Sequence, residues 1–115
     1  MLPGILTVEG MVEGDTWRGV PSLTVTIDDA TPASPLSSVR MQFRRKPGGV
    51  VGDELSTANG LIAILDAEAW EVKIGPTRMD LTPGQWLFDV EFSAADGSVY
   101  TLLKGVLQVA YGITE

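Results

Sequence analysis

The sequence predicts an all-β domain: an immunoglobulin-like β-sandwich of about seven short antiparallel strands with an extended N-terminal arm. Three observations predict it. Apolar residues recur with a period of two in several short runs, as strands with one buried face require. Turn-forming Gly, Pro, Asn and Asp separate those runs at near-regular spacing. No amphipathic helix pattern of ordinary length occurs between them.

The longest signal is Pro83 to Val109, which reads as one β-hairpin. Trp86, Phe88, Val90 and Phe92 share one face, and Leu87, Asp89 and Glu91 the other. Ala95-Asp96-Gly97 supplies the turn, since Asp-Gly tolerates positive φ. Val99 to Val109 is apolar at both parities, which predicts burial on both faces or at an interface. Upstream, Leu23, Val25 and Ile27 alternate with Thr24, Thr26 and Asp28, a pattern rich in β-branched residues. Asp28 to Ser38 reads as a loop, because Pro32 and Pro35 cannot sit in a central strand. Val39, Met41 and Phe43 alternate with Arg40, Gln42 and Arg44 as another half-buried strand. Asn59-Gly60 precedes two further strands, Leu61 to Asp66 and Trp70 to Ile74, with a brief turn between them. Arg78-Met79-Asp80-Leu81 has the length of a single helical turn, too short to be stable alone. Trp70 and Trp86 are core candidates. The organisation expected is an arm or edge strand over residues 1–13 and a sandwich over 14–115.

At 115 residues with 44% hydrophobic content the chain suits one globular domain without disulfides or metal. It has no cysteine and no histidine. That removes thiolate chemistry, the commonest general base and the commonest metal ligand. Fifteen acidic residues against eight basic ones give a net charge of −7. That balance disfavours nucleic acid as a partner. The longest apolar run falls far short of the roughly 20 residues that span a bilayer, so no membrane partner is expected. No charged segment followed by an apolar one marks a secretory signal at the N-terminus. Asp28-Asp29 and Asp53-Glu54 lack the alternating acidic loop of a calcium site and read as solvated loop acids. Asp89 and Glu91 resemble a carboxylate pair, but two acids on an exposed strand face are ordinary. The chain is therefore read as no enzyme, with no cofactor and no metal.

The candidate interface residues are Asp15, Trp17, Arg18, Arg44, Arg45, Lys46, Ile5 and Val8. Arg44-Arg45-Lys46 is the one basic run, with two readings: it binds an anion or an acidic patch on a neighbouring copy, or it blunts a strand end. Trp17, between Asp15 and Arg18, either packs over the end of the sandwich or anchors an interface. Ile5 and Val8 lie in an apolar arm that either adds a strand to a neighbour or pairs with the C-terminal strand of its own sheet.

Several segments together resemble small immunoglobulin-like virion proteins of tailed bacteriophages. They are Gly14-Asp15-Thr16-Trp17, Val39 to Arg44, Gly60 to Asp66, Trp70 to Ile74, Leu81 to Glu91, Asp96 to Gly105, and the closing Val109 and Ile113-Thr114. The order is similar to the N-terminal domain of baseplate upper proteins and to tail or fibre-attachment proteins, over about Gly14 to Thr114. The Arg44 to Gly52 insertion and the Pro-rich loop depart from that pattern. The resemblance implies a structural virion part in several symmetric copies, a trimer or hexamer. Its partners would be other tail, baseplate, fibre or capsid proteins, and its location the virion. A capsid decoration protein is the alternative. A carbohydrate- or receptor-binding module, with Trp17 or Tyr100 stacking on sugar, is the second alternative.

Overall fold

A computed structural model describes residues 4–5, 11–12, 14–78 and 81–111. Among them every regular element is a strand. In chain order these are β1 (Gly4–Ile5), β2 (Met11–Val12), β3 (Thr16–Trp17), β4 (Val20–Thr24), β5 (Leu36–Arg44), β6 (Val51–Ser56), β7 (Ile62–Asp66), β8 (Glu71–Ile74), β9 (Thr77–Arg78), β10 (Gly84–Ala94) and β11 (Val99–Ala110). The larger sheet has the order β1-β11-β10-β5-β6, with β2 also on β11. The smaller sheet is β4-β8-β7, and β3-β9 forms a separate ribbon. This is the immunoglobulin-like all-β sandwich that the sequence predicts.

The core lies between the two main sheets. From the larger come Val39, Met41, Phe43, Leu55, Phe88, Val90, Phe92 and Leu107; from the smaller, Ile62, Val72 and Ile74. Trp70, fully buried at the turn before β8, stacks on Phe92 at 6.3 Å and meets Tyr100 edge-on at 6.0 Å. Its indole Nε1 donates to Ser34 O at 2.9 Å, so its polar edge is satisfied. Pro32 and Pro35 lie in the connection that crosses the end of the sandwich. Pro35 O accepts from Ala95 N at 2.8 Å, tying this crossing to the β10–β11 turn.

Several local readings change. The strand centred on Val25 ends at Thr24, because Asp28 and Asp29 adopt φ of 53° and 63° in a tight turn closed by Ile27 and Ala30. Asp tolerates that left-handed region better than bulkier residues. The loop then ends at Pro35 rather than Ser38, since buried Leu36 opens β5. Strand β6 is a second departure: Gly52 and two acids disguise it. At Gly52 a Cβ would lie 2.3 Å from the Trp86 ring, so only glycine lets the chain pass that indole. Of the expected helical turn, Arg78 lies in β9 and Leu81 is buried, while Met79 and Asp80 are outside the described residues.

The reading of β11 as buried on both faces is corrected by a bulge. Ser93 pairs with Val99 and Glu91 with Thr101, but Val90 pairs with Leu103. One extra residue switches which parity of β11 faces the core. Leu107 and Val109 are buried beyond the switch, whereas Lys104 and Val106 emerge on the open face. The strand is thus half-buried throughout, with its apolar phase shifted midway.

Candidate functional site

The outer face of the larger sheet carries the site. Two cross-strand rows build it. One runs Val51–Arg44–Leu87–Val106 and the other Glu54–Gln42–Asp89–Lys104, each residue opposite the next in register. Directly opposed side chains stand about 4.5–5.5 Å apart at Cβ, so the rows form a continuous surface. With the loop Lys46-Pro47-Gly48 on its rim and Thr101 beside it, this surface becomes an open trough of about 770 Å³. Val106 is 45% exposed there, and Val50 on the neighbouring loop is 91% exposed.

One side of the trough is rigidly built. Arg44 Nε donates to Gly49 O at 2.9 Å, and its Nη2 donates to Gln42 Oε1 at 2.7 Å. Gln42 Nε2 then donates to Glu54 Oε1 at 2.6 Å. These partners fix the orientation of the Gln42 amide. A further row ends the surface: Arg40 Nη2 donates to Glu91 Oε1 at 3.1 Å, the one ion pair among the described residues. Glu91 is therefore engaged separately from Asp89. Among the described residues, no hydrogen bond or ion pair engages the ammonium group of Lys46 or of Lys104. Three cations and one carboxylate, Asp89, line the trough, with Glu54 at the end of its row held by Gln42, in a chain whose net charge is −7.

The basic run divides into three environments. Arg44 lies on the trough floor and Lys46 on its rim. Arg45 turns away: its guanidinium sits 4.1 Å over the Trp86 ring and donates to Thr82 Oγ1 and Pro83 O, both at 2.7 Å, and to Gln85 O at 3.1 Å. Trp86 Nε1 donates to Thr82 O at 2.8 Å, which closes the clamp on this segment. Gly84, at φ 123°, leaves the room that Arg45 fills, because a Cβ there would lie 2.4 Å from Nη1.

The other candidates stand elsewhere. Trp17 is half-buried against the core in the β3–β9 ribbon, with Asp15 and Arg18 exposed beside it. Ile5 lies in β1, in parallel register with Lys104. Val8 is outside the described residues. The structure thus brings Arg44 and Lys46 together, and joins them to Gln42, Leu87, Asp89, Lys104 and Val106, which were not singled out as interface residues. The bulge hid the last two: counting back from the turn without it sets Leu103, not Lys104, opposite Asp89. The sugar-stacking alternative meets a packing obstacle, since Trp17 packs on the core and Tyr100 lies edge-on to Trp70. No three His, Cys, Asp or Glu side chains among the described residues are grouped to hold a metal ion.

No protein-family model matches the chain, and no curated relative matches it. Among solved structures it is similar to CopC from Methylosinus trichosporium OB3b, at 11% identity and a TM-score of 0.42, over 88% of this chain and 99% of that one. The bacteriophage resemblance is withdrawn: no family model or curated relative supports it, and the similar structure found is CopC. The virion role and virion location are withdrawn with it. The likeness to CopC is too distant to assign a function in their place.

Proposed function

We propose that this chain is a non-catalytic recognition module that binds an anionic, partly apolar ligand on the outer face of its larger sheet. One observation carries the reading: Arg44, Lys46 and Lys104 surround the apolar strip of Leu87 and Val106 in an open trough of an acidic protein. Charge supplies attraction and orientation, and the strip supplies apolar area to bury at about 25 cal/mol per Å². Arg44 is already held by Gly49 and Gln42, so little ordering is needed when it meets an anion.

The test is an amide chemical-shift titration of the whole protein with hexanoate, which joins a carboxylate to an apolar tail. The expected shifts concentrate at Gln42 to Lys46, Leu87 to Asp89 and Thr101 to Val106. Shifts confined to the smaller sheet, or none at all, would remove the trough from consideration.

A further inference from the structure

We infer that the ligand of this trough is an extended acidic segment of a partner protein, lying along the strands with its acidic and apolar residues two positions apart. The inference rests on the recognition function proposed above and adds the class and conformation of the occupant.

Three observations carry it. The first is charge. Arg44, Lys46 and Lys104 outnumber Asp89 even with Glu54, at the end of its row, added, so the occupant is anionic. A second copy docking the same face symmetrically would set these cations against one another, which points to a different, acidic partner. The second is shape. The trough is an open surface laid over β5, β10 and β11, with no closed cavity to enclose a small molecule, and exposed Val50 adjoins its rim. The third is period. Lys104 and Val106 are alternate residues of one strand, roughly 6.8 Å apart by strand geometry. An extended segment repeats its side chains at the same interval. An acid facing Lys104 therefore places the residue two positions away over Val106, beside Leu87. A segment laid across the strands would meet contacts about 4.8 Å apart instead and fall out of step.

Fluorescence anisotropy with labelled peptides tests this directly. A peptide of three Glu-Ser-Leu-Ser repeats puts Glu and Leu on one face when extended. A peptide of three Glu-Leu-Ser-Ser repeats has the same composition and charge but puts neighbouring Glu and Leu on opposite faces. The first is expected to bind several-fold more tightly, and added salt to weaken it as screening requires. Lys104→Glu is expected to weaken it about tenfold, since attraction becomes repulsion. Val106→Ser, which leaves the charges intact, is expected to erase the preference between the two peptides. Equal binding of both peptides, or undiminished binding to Lys104→Glu, overturns the inference. If hexanoate maps to the trough while neither peptide binds, the inference falls and the recognition function stands. If hexanoate also fails to map there, both fall.

Discussion

Strand β10 has two faces with different duties. Toward the smaller sheet, Trp86, Phe88, Val90, Phe92 and Ala94 are all buried. Toward solvent, Leu87, Asp89, Glu91 and Ser93 are half-buried and face the trough or its neighbouring row. The inner face holds the fold by area and close packing. The outer face gains little stability from its charges, because exposed pairs such as Arg40–Glu91 contribute at most about 1 kcal/mol. The comparison teaches that stability and recognition are separable on one strand, residue by alternate residue.

The sharpest break comes from the inner face. Phe92→Ala removes a fully buried ring that stacks on Trp70, and a loss of about 3–5 kcal/mol in urea unfolding is expected. A loss under about 1 kcal/mol would mean the two sheets do not pack as described. Next is Gly52→Val, which drives a side chain into the Trp86 ring. A cost of about 1–3 kcal/mol is expected, with a shift in tryptophan emission as the indole moves. Arg45→Met comes third, at about 1 kcal/mol, for the lost stacking on Trp86 and the lost bonds to the Thr82–Gln85 segment. Hexanoate binding should survive it, because Arg45 faces away from the trough. Equal loss of binding in Arg45→Met and Lys104→Glu would erase the distinction between clamp and site.

The smallest expected effect is at the β10–β11 turn. The Ser98 N–H donates to Asp96 Oδ1 at 2.9 Å and holds the Asp96 carboxyl below its ordinary value, helped by the Ser98 hydroxyl. Since folding lowers this pKa, its contribution is present above the unfolded value and is lost as pH falls through the folded one. Carboxyl NMR of the native protein should show Asp96 titrating below the usual Asp range. A midpoint at or above that range would contradict the turn geometry.

How far the sequence reveals this molecule follows the same division. Inner-face alternation is legible wherever the register is regular, as at Trp86 to Phe92 and Val39 to Phe43, because burial enforces parity. It fails where backbone irregularities intervene. The bulge opposite Val90 and Glu91 changes parity in β11 and conceals Lys104 and Val106. Gly52 and the Asp28–Asp29 turn likewise obscure where β6 begins and β4 ends. Arg44, Arg45 and Lys46 look like one basic cluster in sequence. Strand β5 ends at Arg44, and the chain beyond it turns Arg45 onto Trp86 while Lys46 stays at the trough, so the cluster divides. The similarity to virion proteins rested on an order of strands and turns that many sandwiches share, and fold alone does not set function.

The most direct test of separable faces pairs two readouts on one double variant, Lys104→Glu with Val106→Ser. The expected melting temperature stays within about 5 °C of the parent, since each surface change usually costs no more than about 0.5 kcal/mol. The hexanoate-induced shifts at Gln42 to Lys46 and Leu87 to Asp89 are expected to vanish. Retained shifts would show that the outer face is not the recognition surface. A large fall in melting temperature would show that the two faces of the sheet are not independent.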